Sequence, residues 1–101
     1  MDDEVRRLWR AHVKARFTLA ADAEHLSPGE FAAIMREGEM RANELITNLM
    51  RVAAGRGESV QELLADPVVR EQLRTVGADA AGGVFDDDAL DRELGALSWL
   101  T

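Results

Sequence analysis

Cysteine is absent from the sequence, so the chain can form neither disulfide bonds nor a thiolate nucleophile. A small domain that folds without disulfides is typical of the cytoplasm. No apolar stretch is long enough to cross a bilayer, and the opening Met-Asp-Asp-Glu has the wrong charge for a signal or transit peptide. The sequence therefore predicts a soluble cytoplasmic protein that has no membrane partner.

Aromatic residues are scarce, with three Phe and two Trp in 101 residues. Aliphatic side chains must therefore supply most of the core, and a chain of this length builds only one modest core. A hydrophobic content of 47% with 31% charged residues is typical of a globular domain rather than a disordered tail. We expect a single domain over residues 1–101.

Basic residues are rare in the second half of the chain. Residues 1–56 hold nine basic and nine acidic side chains, whereas residues 57–101 hold three and ten, which accounts for the net charge of −7. Such an acidic balance argues against direct nucleic-acid binding, which depends on phosphate neutralisation by Lys and Arg. It favours solubility, a basic protein partner, or self-association through opposite charges.

Proline occurs only twice, and both prolines begin helices. Pro28 follows Ser27 and Pro67 follows Asp66, so each occupies the first helical position after a capping residue. Capping boxes are expected at Ser27 with Glu30 and at Ser59 with Glu62, because each pair has the required spacing. No alternating β-branched run is present, and the fold class predicted is all-α.

Two long amphipathic helices are predicted, over about residues 3–25 and 28–54, from apolar residues that recur at helical period. The turn between them folds the helices into an antiparallel hairpin, in which the numbers of facing residues sum to about 54. This register pairs apolar residues throughout. The pairs are Val5 with Leu49, Trp9 with Leu45, Leu19 with Met35, and Ala23 with Phe31.

Shorter helices are predicted to cover this hairpin. One begins after Ser59, a second spans residues 67–76 and ends at Gly77, and a third begins after its capping residue Asp86. The small residues of the segment 78–84 predict a loop. The architecture expected is a hairpin of two long helices covered by two or three shorter ones, in a small orthogonal or bundle-like domain.

His12 and Arg16 are anomalous, because they lie in the middle of the apolar stripe of the first helix. The hairpin register places them opposite Ala42 and Gly38, so large polar residues face small ones. A glycine inside a helix costs about 1 kcal/mol relative to alanine. We expect the close approach of a bulky neighbour to offset that cost.

Two interpretations of this pair remain open. In the first, Arg16 lies over Gly38 and reaches Glu37 or Glu39, while His12 makes one hydrogen bond. In the second, His12 and Arg16 line a groove or a dimer seam, where they set partner choice and the response to pH.

At helical spacing, Trp99 is expected to point away from the leucine stripe of the last helix, where it would have nothing local to pack against. Tryptophan is enriched at the energetic centres of interfaces, so Trp99 and Leu100 are candidates for docking on a partner or a second copy of the chain. The alternative is that Trp99 folds back over the hairpin as a lid.

Catalytic and metal-binding patterns are missing. The chain has no Gly-x-Ser-x-Gly elbow, no glycine-rich loop after a strand, and no facing Glu-x-x-His pair. The acidic run Asp86-Asp87-Asp88 lacks the ligand spacing of a calcium loop and is interpreted as the start of a helix. We predict neither an enzyme nor a cofactor or metal site.

The function predicted is that of a small acidic helical protein–protein interaction module, such as an adaptor, inhibitor or regulatory subunit, that forms a homodimer. One alternative is a small-molecule-binding bundle in which His12 and Arg16 orient an anionic ligand. Another is an inhibitor whose acidic second half imitates a nucleic-acid backbone and blocks a basic protein. The candidate interaction residues are Trp9, His12, Arg16, Gly38, Ala42, Trp99 and Leu100.

Overall fold

The computed structural model describes residues 2–98, which form five α-helices and a short 3-10 turn, with no strand among them. The all-α fold class is confirmed. The helices are α1 (Asp3–Asp22), α2 (Pro28–Gly55), α3 (Val60–Ala65), α4 (Pro67–Ala81) and α5 (Asp87–Ser98), and the 3-10 turn Ala23–His25 follows α1.

The two long helices form the predicted antiparallel hairpin. Asp2, just before α1, pairs with Arg51 near the end of α2 at 3.0 Å. Between one and two turns further along, Arg7 lies 4.0 Å from Glu44. At 28 residues α2 is about 42 Å long, which accounts for the longest dimension of the molecule, 44 Å.

Local capping fixes where the helices begin. Both predicted capping boxes are confirmed: the Ser27 and Ser59 hydroxyls accept from the backbone N–H groups of Glu30 and Glu62, whose carboxylates accept in return. Asp86 accepts from the Ala89 N–H at 2.9 Å and so caps α5, as predicted. Each cap satisfies backbone donors that have no partner within the helix.

The predicted end of the fourth helix is wrong. Helix α4 continues through Gly77 to Ala81 and ends at Gly82, whose φ of 72° places it in the left-handed region that favours glycine. The Gly82 N–H donates to the Ala78 carbonyl at 2.9 Å. Part of the predicted loop 78–84 is therefore helix. Gly77 instead lies inside the helix, where its lack of a side chain leaves room for the ring of Phe85.

The core lies in the half of the hairpin away from its turn, where α1 begins and α2 ends. Trp9, Leu45, Leu73 and Leu90 are fully buried and come from α1, α2, α4 and α5. The indole N–H of Trp9 donates to the Leu73 carbonyl at 2.9 Å, so the one polar atom of this ring is satisfied inside the core. Helices α3 to α5 thus cover one half of the hairpin.

Candidate functional site

Four of the seven predicted interaction residues, His12, Arg16, Gly38 and Ala42, line one groove between α1 and α2. The hairpin register predicted this meeting. The groove contains a partly open cavity of about 120 Å³, and α5 borders it through Ala96. Its other lining residues are Ala15, Leu19, Ile34, Met35, Glu39 and Arg41.

Gly38 does not accommodate a bulky neighbour. A Cβ built on this glycine would meet no atom within 4 Å, so the expectation that Arg16 or another large side chain packs against it is wrong. The reason is that the Arg16 side chain is drawn toward α5. Gly38 therefore leaves open space in the groove.

Arg16 pairs with Glu93 of α5, and not with Glu37 or Glu39 as one interpretation of the sequence expected. The Glu93 residue is only 7% exposed, whereas the Arg16 side chain is about half exposed, at 47%. The ion pair therefore joins a buried carboxylate to a guanidinium at the rim of the groove. It ties α5 to α1 at the point where the covered half of the hairpin ends.

His12 is buried, with 5% of its surface exposed, and makes one hydrogen bond, as that same interpretation expected. Its Nε2–H donates to the Glu93 carbonyl over a long 3.4 Å, and its ring centroid lies 5.7 Å from that of Trp9. Burial lowers the pKa of His12, and the positive charges of Arg16 and Arg41 lower it further. The surroundings of the imidazole therefore favour its neutral form.

Trp9 lies in the core and not on a surface. It is 0% exposed, and the Phe85 ring stands edge-on to it at a centroid distance of 6.4 Å. Its indole is covered because α4 packs across α1, which the sequence pattern did not reveal. Trp9 therefore cannot contact a partner of the folded chain. The other two predicted residues, Trp99 and Leu100, lie outside the described residues.

Three exposed apolar side chains were not predicted as a site. Phe17, Phe31 and Met35 are 41%, 42% and 43% exposed, although Phe31 and Met35 lie on the apolar stripe of α2. The lengths of the shorter helices could have predicted this exposure. Helices α3, α4 and α5 have 6, 15 and 12 residues, too few to cover both halves of a 28-residue helix.

These three side chains lie within a longer region of α1 and α2 that the shorter helices leave uncovered. No residue from Lys14 to Arg41 is buried, whereas α1 has its buried residues between Val5 and Val13 and α2 between Ala42 and Ala53. We call residues 14–41 the hairpin end. Leu19 of α1 and Ile34 of α2 line the groove between its two helices and are only partly buried. Within residues 2–98, Ala96 and the ring of Phe85 approach this end but leave none of its residues buried.

The chain significantly matches no protein-family model, no curated protein and no solved structure. Its function must therefore be inferred from the geometry of its own residues.

The acidic residues near the start of α5 are partly paired within the molecule. Asp87 lies 2.5 Å from Arg74 and 3.3 Å from Arg70, and Asp91 lies 2.9 Å from Arg70. Arg74, and after it Arg70, lowers the pKa of Asp87. These ion pairs join α5 to α4, so the cluster has a structural role.

Among the residues that the structure describes, no three His, Asp or Glu side chains are arranged so that they could hold a metal ion. None of the helices formed by those residues combines the length and the apolar character needed to cross a membrane.

Proposed function

We propose that the protein is a helical protein–protein interaction module that binds its partner through the hairpin end. One observation carries this proposal: the apolar stripe of the hairpin continues past the point where α3 to α5 stop covering it. Burying apolar surface is the main favourable term in protein association. A chain that leaves such a stripe in contact with water gains free energy when a partner covers it.

The residue types at the hairpin end support this assignment. Phe17, Phe31 and Met35 each expose about two-fifths of their surface. Aromatic residues and Met are enriched at protein interfaces relative to other surfaces. These three side chains are therefore the expected anchors of the contact.

The shape of the groove favours a helical partner. Gly38 and Ala42 are one turn apart on α2, and both line the groove. Ala42 is itself buried, so a second helix approaches the backbone of α2 closely at the open space beside Gly38, while Met35 and Leu19 pack along its sides. The expected partner element is an amphipathic helix with apolar side chains at helical spacing.

A small-molecule site fits the same groove less well. Drug-sized ligands occupy pockets of at least about 300 Å³, whereas the cavity beside His12 and Arg16 measures about 120 Å³. Both polar groups already have partners in Glu93. Imitation of a nucleic-acid backbone is likewise less favoured, since Asp87 and Asp91 are paired with arginines of α4.

Photo-crosslinking tests the proposal at two methionines of α2. Met35 at the hairpin end is 43% exposed, and Met50 near the other end of α2 is 57% exposed. Benzoylphenylalanine replaces one or the other in cells that express the protein. We expect an adduct of one defined mass from position 35 and none from position 50. Equal labelling from both positions, or none from position 35, would contradict the proposal.

A further inference from the structure

We infer that the partner of the hairpin end is a second copy of this chain. The two copies are related by a two-fold axis, and their α1 and α2 ends pack into a four-helix arrangement. This inference rests on the proposed function, because it names the occupant of the same surface. Isologous contacts of this kind are the commonest way in which soluble proteins form dimers.

The distribution of charge favours a copy of the same chain over an unlike acidic or basic partner. The hairpin end holds four basic and five acidic residues, which leaves six of the seven net negative charges on the rest of the chain. Two acidic copies repel each other least when they meet at their nearly neutral ends. A strongly basic partner would instead be attracted to the other part of the molecule.

Several charges of the hairpin end are also unpaired. Lys14, Arg36, Glu37 and Glu39 form no ion pair with any residue in the range 2–98. Outside the hairpin end, by contrast, most arginines are paired. Those are Arg7, Arg10, Arg51, Arg56, Arg70 and Arg74.

A surface that carries free charges of both signs is self-complementary. In a two-fold contact, if residue i of the first copy contacts residue j of the second, then residue j of the first copy also contacts residue i of the second. Each opposite-charge pair therefore forms twice. Arg36 of one copy then has Glu39 of the other available as a partner, whereas Lys14 and Glu37 line a second groove that Met35 and Gly38 do not border. Apolar contact between the two copies of Phe31 and Met35 supplies the centre of the interface.

The size of the hairpin end indicates a dissociable dimer. Two helices side by side are about 20 Å wide, and the 14 helical residues from position 28 to 41 are about 21 Å long. A face of roughly 420 Å² is about half of the 800 Å² that a standard specific interface buries on each partner, which places this contact among the weak and transient ones. We therefore expect monomer and dimer to coexist in the micromolar range.

Sedimentation of the purified chain across protein concentration tests the inference. The mass should rise from 11.1 kDa toward twice that value as concentration increases from about 1 μM to about 1 mM. Met35→Glu should remain a monomer at concentrations at which Met50→Glu dimerises like the wild type. A wild type that is monomeric throughout, or a Met35→Glu variant that dimerises equally well, would overturn the inference.

Gly38→Leu provides a second variant that the fold accommodates, since a Cβ at position 38 meets nothing within 4 Å. Its larger side chain fills the space that a helix of the second copy needs, so dimerisation should weaken at least tenfold while far-ultraviolet circular dichroism stays helical. Unchanged dimerisation of this folded variant would contradict the proposed packing.

The crosslinked adduct separates failure of this inference from failure of the proposed function. An adduct from position 35 with twice the mass of the chain supports both. An adduct with a different protein, together with a purified chain that stays monomeric, overturns the second copy but leaves the interaction module in place. Absence of any adduct and of any dimer overturns both.

Discussion

The ring of Phe85 lies where a side chain on residue 77 would have to be: a Cβ built on Gly77 would be 2.5 Å from Phe85 Cε1. The backbone of Gly77 has no positive φ, so only the available space restricts this position. Through this contact the segment between α4 and α5 packs tightly onto α4. The same ring lies edge-on to Trp9 and near Phe17.

Gly77→Ala should therefore destabilise the protein, although alanine favours helix more than glycine does. Forcing an extra methyl group against a packed ring costs about 1–3 kcal/mol, and urea denaturation measures it. Gly38→Ala is the matched control, because it is the same change inside a helix with no atom within 4 Å. It should stabilise the folded state by up to about 1 kcal/mol. Equal stability of the two variants would contradict the placement of Phe85.

His12 should make the protein less stable as the pH falls below 6.5. Burial chiefly lowers the folded-state pKa of His12, Arg16 and Arg41 add to this, and the Glu93 carbonyl and carboxylate oppose it. In the unfolded chain the imidazole takes up its proton near the ordinary value of 6.5. Because the unfolded state then binds more protons, the free energy of unfolding decreases by at most about 1.4 kcal/mol per pH unit.

Urea midpoints between pH 7.5 and pH 5.5 measure this dependence. His12→Gln should flatten the decline, since the neutral amide has no proton to take up in this range. His25→Gln should retain it, because the variant keeps His12 and changes a residue that is exposed in the 3-10 turn. A decline in His12→Gln as steep as in the wild type would assign the pH dependence to other groups.

Arg16→Gln should destabilise the protein more than Glu93→Gln does. The first change leaves a buried carboxylate without its cation, which costs about 1–3 kcal/mol. The second removes that charge and leaves Arg16 in contact with water, at a cost below about 1 kcal/mol. Urea denaturation of dilute samples measures both. The double variant should be more stable than Arg16→Gln alone, and the reverse order would contradict burial of the Glu93 carboxylate.

Trp9→Phe should destabilise the protein by about 1–3 kcal/mol, because the smaller ring leaves a cavity and removes the hydrogen bond to the Leu73 carbonyl. Phe17→Leu is a useful comparison, since Phe17 is 41% exposed. Phe17→Leu should change the free energy of unfolding by less than Trp9→Phe does. Thermal unfolding of both variants checks the order, and equal effects would contradict the different burial of the two rings.

Helix starts were predictable from the sequence because their determinants are local. Ser27 and Ser59 bond to residues only three positions away, so spacing alone identifies them. The hairpin register was also predictable, since two apolar stripes with one short turn have few ways to meet. It placed His12 and Arg16 across from Ala42 and Gly38, and these residues do line one groove.

The errors concern contacts between residues that are distant in the sequence. Glu93 is 77 residues from Arg16, and no local pattern chooses it over Glu37 or Glu39. Gly77 and Gly82 are both suitable helix ends by composition, and the ring of Phe85 is what explains a glycine inside α4. Periodicity likewise indicates which face of α2 is apolar, but not how far other helices cover it.

Helices α1 and α2 each pass from the covered half of the molecule into the hairpin end without interruption. Amide protons are protected from exchange according to the free energy needed to open the structure around them, and that energy is small where few apolar groups are buried. We therefore expect the core segments of both helices to open only when the whole domain unfolds, and the hairpin end to open on its own. Each long helix would then be continuous in its hydrogen bonding but have two local stabilities, and the weaker part is the one that a partner would hold.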